Sequence, residues 1–390
     1  MRLAGRDIVC IGSADWATEL PINQHQLMGR LAAGNNVLFV ESLGLRKPQL
    51  AGRDLSRLWR RLKRGLRGAR PAPEGLHVLS PLVLPLHSKE AVRKLNRWLL
   101  RRQVKRAARK LGMKQPILWA YVPQAEAVVD VLDPSLVVYH CVDDVAAQKG
   151  VDADSFREAE ERFARRADLV LASAPALAER MRTLSDHVLY APNVADTGTF
   201  ATALEPGPVD PALEELPHPR LVFQGAIVAT KLDVGLLAEV AGLRPEWSIV
   251  LVGPRGAGDP TGDLSPLDSA PNIHMVGARP ADDLPQVLRG ADIGLIPYAI
   301  NDLTRSVFPM KVYEYLAAGL PVLATPLPAL DGVEAIETVS SAEELVTAAQ
   351  RELEIDAPDR RRERSRDAAG NSWEARIEEI EGALGRIAPS

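Results

Sequence analysis

Short apolar runs alternate with helix-length amphipathic segments along the whole chain. Apolar runs bounded by glycine, proline and polar residues are typical of strands buried on both faces of a parallel sheet. Because crossover helices must connect such strands, the alternation predicts an α/β fold. In the first half of the chain the predicted strands are 8–11, 37–40, 77–84, 117–122, 136–139, 169–172 and 188–190.

A second series of the same kind follows a stretch rich in proline and acidic residues at 204–219, which predicts a linker. We therefore predict two doubly wound, Rossmann-like domains at 1–203 and 220–370. The last segment, 371–390, is expected to form a helix with an apolar face, capped by Ser372. The predicted strands of the second half are 221–224, 249–252, 273–276, 293–296 and 322–324.

Composition agrees with two folded domains. The chain has 390 residues, of which 46% are hydrophobic, which suffices for two substantial cores. No apolar run approaches the roughly eighteen residues that cross a bilayer, and the N-terminus lacks the apolar core of a signal peptide, so we expect a cytoplasmic protein. Cys10 and Cys141 lie in apolar runs and are expected to be buried thiols. The histidines show no metal-ligand spacing.

Charge is distributed unevenly. Between Ala51 and Lys114 there are 19 Lys or Arg residues against three acidic residues. Leucines and Trp59 recur there at helical spacing among cations, a pattern typical of a helix lying on an anionic membrane surface. The alternatives are a solvated basic helix pair, or a nucleic-acid partner, for which no recognition motif is present. The predicted membrane-binding residues are Trp59, Arg60, Arg61, Lys63 and Arg64.

The segment 308–325, FPMKVYEYLAAGLPVLAT, combines a loop, a helix and a strand. Proline at the start and Gly319 just past the end predict a helix over about 309–318. Lys311 and Glu314 are three residues apart and so share a face of it. A cation beside an acceptor suits a diphosphate and a pair of sugar hydroxyls. The alternative is that Glu314 faces solvent.

This segment resembles the donor site of GT-B glycosyltransferases, in particular the retaining, nucleotide-sugar-dependent enzymes of glycosyl transferase group 1, similar to family 4, that build bacterial cell-surface polysaccharides. The resemblance implies two Rossmann-like domains that face a central cleft, with the last helix crossing back to the first domain. It also implies that Glu314 accepts hydrogen bonds from the nucleotide ribose. Many relatives carry a second glutamate eight residues earlier, where this chain has Ser306.

The resemblance continues through most of residues 221–330 and implies further donor-binding residues. Gly225 and Gly253 each follow a predicted strand, where a glycine turn lets the backbone approach phosphates. Lys231, in the loop after Gly225, is expected to approach the phosphates and to stabilise the departing diphosphate. Relatives often have arginine where this chain has Ala226, so part of the usual phosphate clamp is missing or is supplied by Arg305 and Lys311. The alternative for Lys231 and Arg305 is an ordinary surface residue.

Two constellations in the first domain are expected at the carboxyl end of its sheet. Gly12 ends the first strand and could approach donor phosphates, and the polar loop after it offers Asp15, Trp16 and His25 as acceptor-binding candidates. At the end of another strand, His140 and Asp143 are candidates for positioning the sugar and deprotonating the acceptor.

For His140 and Asp143 the alternative is a histidine with purely structural hydrogen bonds and an aspartate that caps a helix. GT-B catalysis generally needs no metal, so we predict no metal and no cofactor, with the nucleotide-sugar as co-substrate.

The sequence therefore predicts a glycosyltransferase that moves a sugar from a nucleoside diphosphate to a membrane-associated glycan or lipid-linked acceptor, at the inner face of the cell membrane. Three alternatives stay open. A nucleotide-sugar epimerase can share the two-domain fold, and a degenerate glycosyltransferase could serve as a non-catalytic scaffold. An NAD-dependent oxidoreductase is disfavoured because the spaced glycines of a dinucleotide fingerprint are absent.

Overall fold

The computed structural model describes residues 2–18, 20–43, 68–73, 75–83, 90–148, 150–256 and 262–387. Their contacts divide the chain into two compact units. The first comprises Met1–Pro192 and Ile377–Ser390, and the second comprises Asn193–Arg376. Each unit contains one sheet with helical crossovers, so the predicted α/β class with two Rossmann-like domains is confirmed.

The first unit is built on an eight-stranded sheet of order β3-β4-β2-β1-β5-β6-β7-β8, parallel except for the β3–β4 pair. The chain runs from β1 to β2 on one side and later to β5 on the other, so the strand order reverses beside β1. Crevices at such switch points are where open α/β sheets bind ligands. The strands are β1 Asp7–Ile11, β2 Asn36–Val40, β3 Arg70–Pro71, β4 His77–Leu79, β5 Ile117–Ala120, β6 Leu136–Cys141, β7 Leu169–Ala172 and β8 Val188–Tyr190.

Five helices accompany this sheet in the described part of the first unit. The side chains of Trp119, Tyr139 and Phe39 are among the largest that are fully buried in its core. Cys10 and Cys141 are buried free thiols, as predicted, and burial raises the pKa of both. The helices are α1 Asn23–Ala32, α2 Glu90–Lys110, α3 Glu126–Leu132, α4 Ala153–Ala164 and α5 Pro175–Arg182.

The second unit is built on a six-stranded parallel sheet of order β11-β10-β9-β12-β13-β14. Its switch point lies between β9 and β12, where Leu221 pairs with Ile293 and Val222 with Gly294. The strands are β9 Arg220–Gln224, β10 Ser248–Val252, β11 Ile273–Gly277, β12 Ile293–Ile296, β13 Val322–Ala324 and β14 Glu337–Thr338.

The helices of the second unit include the one predicted to carry the donor-site residues, α11. Residues 204–219, predicted as a linker, fall within this unit and contain the short helix α7. The predicted cap of the last helix is present, because Ser372 Oγ accepts a 3.2 Å hydrogen bond from Ala375 N. The helices are α6 Thr197–Ala201, α7 Pro211–Glu214, α8 Val234–Leu243, α9 Ser265–Asp268, α10 Leu284–Arg289, α11 Lys311–Ala317, α12 Ala342–Ile355, α13 Pro358–Ala368 and α14 Trp373–Ile387, whose last eleven residues group with the first unit.

Every predicted strand is present, with ends that differ by a few residues at most in the described part of the chain. The two strands that the sequence did not predict, β3 and β14, are two residues long and lie at sheet edges. Neither is long enough to show an apolar run or an alternating pattern. Both add backbone hydrogen bonds at an edge without adding core.

Candidate active site

Two glycine turns meet at the carboxyl edge of the second sheet. Gly225 follows β9 with φ +141°, and Gly253 follows β10 with φ +150°, a conformation that side chains disfavour. A Cβ atom on Gly253 would lie 1.9 Å from the carbonyl oxygen of Gly225. The N–H of Gly225 donates to Val252 O at 2.8 Å, and that of Gly253 to Gly277 O at 2.9 Å. Glycine is needed here for close packing. Both N–H groups are used in backbone hydrogen bonds along the sheet edge.

Lys311 lies over the Gly225 turn from the first position of α11. A Cβ atom on Gly225 would be 2.9 Å from Lys311 Nζ, so the missing side chain makes room for the ammonium group. Nζ lies 3.4 Å from the hydroxyl oxygen of Tyr298 and 5.4 Å from the ring centre of Phe223. Burial lowers the pKa of Lys311, but Tyr298 and Glu314 together raise it above its ordinary value. The cation is therefore fixed at the switch point and stays charged.

Glu314 lies three residues further along, still in the first turn of α11, and points to the end of β9. Its Oε2 atom accepts a 2.6 Å hydrogen bond from Gln224 Nε2. Burial raises the pKa of the Glu314 carboxyl, and Lys311 and Gln224 partly oppose this effect. One carboxylate oxygen is bonded to Gln224, which leaves the group partly satisfied and held in one orientation.

The helix that carries these two residues is packed tightly on the sheet. A Cβ atom on Gly294 would lie 2.4 Å from the ring of Tyr315, so glycine in β12 lets α11 approach closely. The hydroxyl oxygen of Tyr315 accepts a 2.8 Å hydrogen bond from Gln224 N. Gly319 ends the helix with φ +79°, as its position in the sequence predicts. Packing therefore fixes where Lys311 and Glu314 stand.

The other predicted phosphate cations occupy the loops around this edge. Lys231 is half-buried in the loop after β9, and its carbonyl oxygen accepts a 2.8 Å hydrogen bond from Ala299 N. Arg305 is exposed in the turn before α11, next to the buried Ser306. Within the described part of the chain, neither the Lys231 ammonium nor the Arg305 guanidinium forms a hydrogen bond or an ion pair. Both cations are available to an anionic ligand.

In the first unit, Gly12 follows β1 beside the switch point of the first sheet. A Cβ atom there would lie 2.4 Å from the ring of Phe39. The next residue, Ser13, donates from its N–H to Gln24 Oε1 at 2.9 Å. The N–H of Gly12 donates to Val40 O at 2.9 Å. The structure therefore explains the glycine at this position by its close packing against Phe39.

The structure brings the three acceptor-binding candidates together. The ring of Trp16 packs 5.3 Å from the ring of His25 and 4.8 Å from that of Phe39. His25 Nδ1 accepts a 3.1 Å hydrogen bond from a backbone N–H, so its Nε2–H donates to the carbonyl oxygen of Asp15 at 3.0 Å. The buried carboxylate of Glu41, at the end of β2, accepts a hydrogen bond from Trp16 N at 3.1 Å. This loop therefore has a fixed shape.

His140 is the next-to-last residue of β6, one residue past the predicted strand, and its ring is buried. It stacks on Tyr121 at 4.9 Å between ring centres. Asp143 lies in the turn that follows, where its carbonyl oxygen accepts a hydrogen bond from Val145 N. The neighbouring Asp144 pairs with Arg157 at 3.4 Å. The two catalytic candidates, His140 and Asp143, therefore lie at the same end of β6.

Sequence reasoning missed Gln224, Tyr298 and Glu41. Each comes at or just after the carboxyl end of a buried strand, and a polar residue at that position is the signal that could have identified it.

The predicted membrane-binding residues Trp59, Arg60, Arg61, Lys63 and Arg64 lie outside the described residues. None of the described helices combines the length and the apolarity needed to span a bilayer. In the described ranges, no three His, Cys, Asp or Glu side chains cluster as metal ligands.

The fold and the site agree with the resemblance to GT-B glycosyltransferases. Each unit is Rossmann-like, and in the second a half-buried lysine and glutamate lie on the helix that packs at its switch point. Comparison with known proteins agrees. Residues 218–354 match the family model "Glycosyl transferases group 1" and therefore form such a domain within the second unit.

Individual relatives agree with this assignment. Over 110 residues the chain is 37% identical to the putative teichuronic acid biosynthesis glycosyltransferase TuaH of Bacillus subtilis (strain 168), a match that covers 28% of this chain and 27% of TuaH. Sucrose-phosphate synthase from Thermosynechococcus elongatus is structurally similar with a TM-score of 0.68 at 18% identity, over 98% of each chain. HepE of Anabaena in complex with UDP-glucose has a TM-score of 0.64 at 14% identity, over 98% of this chain and all of that one.

These findings confirm the predicted GT-B fold. The matches to a glycosyl transferase domain and to a glycosyltransferase support the predicted class.

Proposed function

We propose that this chain transfers a sugar from a nucleoside diphosphate sugar to a membrane-associated glycan or lipid-linked acceptor in cell-surface polysaccharide synthesis. The observation that carries the proposal is the arrangement of Gln224, Lys311 and Glu314 at the switch point of the second sheet. A fixed cation suits the diphosphate of a nucleoside diphosphate, and an oriented carboxylate beside it suits the hydroxyls of the ribose. The titles of the HepE structures name UDP and UDP-glucose, which supports a donor of this kind.

In this proposal the second unit binds the donor. Glu314 accepts hydrogen bonds from the ribose hydroxyls, and Lys311 lies against the diphosphate, assisted by Lys231 and Arg305. In the reaction the bond from the anomeric carbon to the diphosphate oxygen breaks, and the electron pair leaves on the diphosphate. Cations placed where that charge develops stabilise the transition state more than the ground state. The family resemblance implies retention of the anomeric configuration.

The first unit binds the acceptor in the same proposal. Asp15, Trp16 and His25 form the rigid acceptor loop, and the incoming hydroxyl oxygen forms the new bond to the anomeric carbon. The proton of this hydroxyl passes to His140 or Asp143. The residue that accepts it must lie within hydrogen-bond distance of the reacting hydroxyl. We expect no metal and no further cofactor.

The first test is a thermal-shift screen with UDP, GDP, ADP and TDP and their sugar conjugates. A ligand that binds only the folded state raises the melting temperature by mass action. We expect one nucleotide series to do so in the wild type and to lose the effect in Glu314→Ala. Glu239→Ala, which removes an exposed glutamate from α8 of the same unit, serves as the control and keeps the wild-type response.

Product analysis separates the proposal from its alternatives. A transferase releases nucleoside diphosphate only when an acceptor is present, whereas an epimerase converts the donor without one. A degenerate scaffold, which Ser306 and Ala226 would favour, binds nucleotide and releases nothing. Release of nucleoside diphosphate that depends on a glycan or lipid-linked acceptor supports the transferase, and donor conversion without acceptor contradicts it.

A further inference from the structure

Helix α2 of the first unit exposes two large apolar side chains. Trp98 is 52% exposed and Leu95 is 42% exposed. They are three residues apart on one helix and therefore lie side by side on its surface. Single exposed apolar residues are ordinary, but an adjacent tryptophan and leucine form a patch that water solvates poorly.

The opposite face of α2 holds the buried side chains of the helix. That face packs on α3 and on β2. Trp98 and Leu95 point the other way, so the core does not need them. The buried side chains of this face are Asn96, Leu100, Val104, Ala107 and Ala108.

Cations surround the exposed pair. α2 contains nine Lys or Arg residues and one acidic residue, Glu90. The guanidinium carbon of Arg102 lies 5.5 Å from the ring centre of Trp98, and Lys105 and Arg109 continue the same exposed face towards the C-terminus. Arginine held over an indole keeps its charge at the surface while the ring stays available to an apolar phase.

We infer that the exposed face of α2, formed by Leu95, Trp98, Arg102, Lys105 and Arg109, binds the surface of an anionic lipid bilayer. Tryptophan partitions to the headgroup region because its ring is amphipathic, and cations beside it are attracted to anionic headgroups. An RNA or DNA backbone would use the cations alone and would leave the exposed leucine unexplained. Apolar and basic groups that alternate on one helix face fit a bilayer better.

This surface is distinct from the predicted membrane segment around Trp59, and it lies within the described residues. The inference rests on the proposed function in one respect, since binding to a bilayer would bring the protein to a membrane-associated acceptor. Vesicle binding needs neither a donor nor turnover, so the two ideas can fail separately. If no nucleotide raises the melting temperature of the wild type, the proposed function fails and the surface is untouched.

The test is flotation of the full chain with two kinds of vesicle, phosphatidylcholine alone and equal parts of phosphatidylcholine and phosphatidylglycerol. We expect the wild type to float only with the anionic vesicles. The double variant Leu95→Ala/Trp98→Ala should partition at least about tenfold more weakly, since it loses most of the inserted apolar area. The matched control is Leu243→Ala/Ile355→Ala, which removes two comparably exposed apolar residues from the second unit and should float like the wild type.

Charge is tested in the same assay. Lys105→Gln/Arg109→Gln should weaken binding by about fivefold for each cation removed. The control Arg360→Gln/Arg366→Gln removes two exposed arginines from α13 and should have no effect.

Three results would overturn the inference. The first is equal flotation of the wild type with both vesicle types, and the second is unchanged flotation of Leu95→Ala/Trp98→Ala. The third is an oligonucleotide that displaces the wild type from the vesicles and also binds the Leu95→Ala/Trp98→Ala variant as tightly as it binds the wild type.

A labelling experiment covers the case in which the double variant folds poorly. Because both native cysteines are buried, Trp98→Cys offers an accessible thiol for an environment-sensitive dye. A blue shift with anionic vesicles supports insertion of this face. The same dye on Leu243→Cys reports a position that should not shift, and an equal response at both positions contradicts the inference.

Discussion

The side-chain amide of Gln224 donates a 2.6 Å hydrogen bond to the carboxylate of Glu314 across ninety positions of sequence. The bond joins the last residue of β9 to the first turn of α11. It holds the carboxylate in one orientation, and it opposes the rise in the Glu314 pKa that burial causes. Much of the donor-site proposal follows from this single contact.

Gln224→Ala should weaken ribonucleotide binding by about tenfold, because Glu314 loses the partner that orients it. A merely structural role would weaken all nucleotides alike. Calorimetry with a nucleoside diphosphate and its 2′,3′-dideoxy analogue tells these apart. We expect the variant to lose affinity for the ribose form and to bind the dideoxy form as the wild type does, and equal losses for both would contradict the assignment.

Lys311→Met should cost about 2 kcal/mol or more of diphosphate binding, because a charge-assisted contact in a partly buried site is lost. The free nucleoside lacks the diphosphate and should bind both proteins similarly. The measurement is the affinity ratio of nucleoside diphosphate to nucleoside for each protein. A ratio unchanged by the substitution would remove Lys311 from the phosphate site.

Glu314 should make the stability of the protein fall as the pH rises. Its folded-state pKa is raised above the ordinary value of 4.5, so the folded state binds the proton more tightly than the unfolded state does. Stability from this group is therefore complete below 4.5 and is lost as the pH rises through the folded pKa. Urea unfolding from acidic to neutral pH should show the wild type losing stability relative to Glu314→Gln. A wild type that gains stability relative to Glu314→Gln as the pH rises would contradict the sign.

Gly253→Ala should destabilise the second unit strongly, by roughly 3 kcal/mol or more, because its Cβ would overlap the Gly225 carbonyl. Gly242→Ala is the matched control. A Cβ at Gly242 meets no atom within 4 Å, and the residue lies inside α8, so alanine should stabilise by about 0.5–1 kcal/mol. Urea unfolding of both variants gives the comparison, and similar effects of the two would show that the glycine turn can relax.

Glu160→Ala should destabilise the first unit by about 3–5 kcal/mol, because the half-buried Arg180 and the Tyr139 hydroxyl both lose their buried partner. The buried Glu160 accepts a 2.5 Å hydrogen bond from the Tyr139 hydroxyl and forms an ion pair with Arg180. Tyr139→Phe removes only the neutral bond and should cost about 1–3 kcal/mol. Chemical unfolding ranks the two, and a smaller loss for Glu160→Ala would contradict the account.

The sequence predicts the fold because parallel sheets have a strong local pattern. Buried strands such as β7 and β12 are continuous apolar runs, and their bounds match the predicted ones. The shared face of Lys311 and Glu314 follows equally from helical spacing. These features depend on residues that are close in sequence.

What the sequence does not predict depends on distant contacts. Gln224 is an ordinary strand end until β9 is placed beside α11, and Glu41 is an ordinary loop residue until it meets the Trp16 N–H. The role of Gly253 is likewise visible only against Gly225. A local pattern contains no information about which distant atom fills the space.

The most direct measurement of the central claim is calorimetric titration of the wild type and Glu314→Ala with UDP, GDP, ADP and TDP. The account predicts that one nucleoside diphosphate binds the wild type and that its affinity falls by at least about tenfold in the variant. If none of the four binds, or if one binds both proteins equally well, the donor site is not where we propose it.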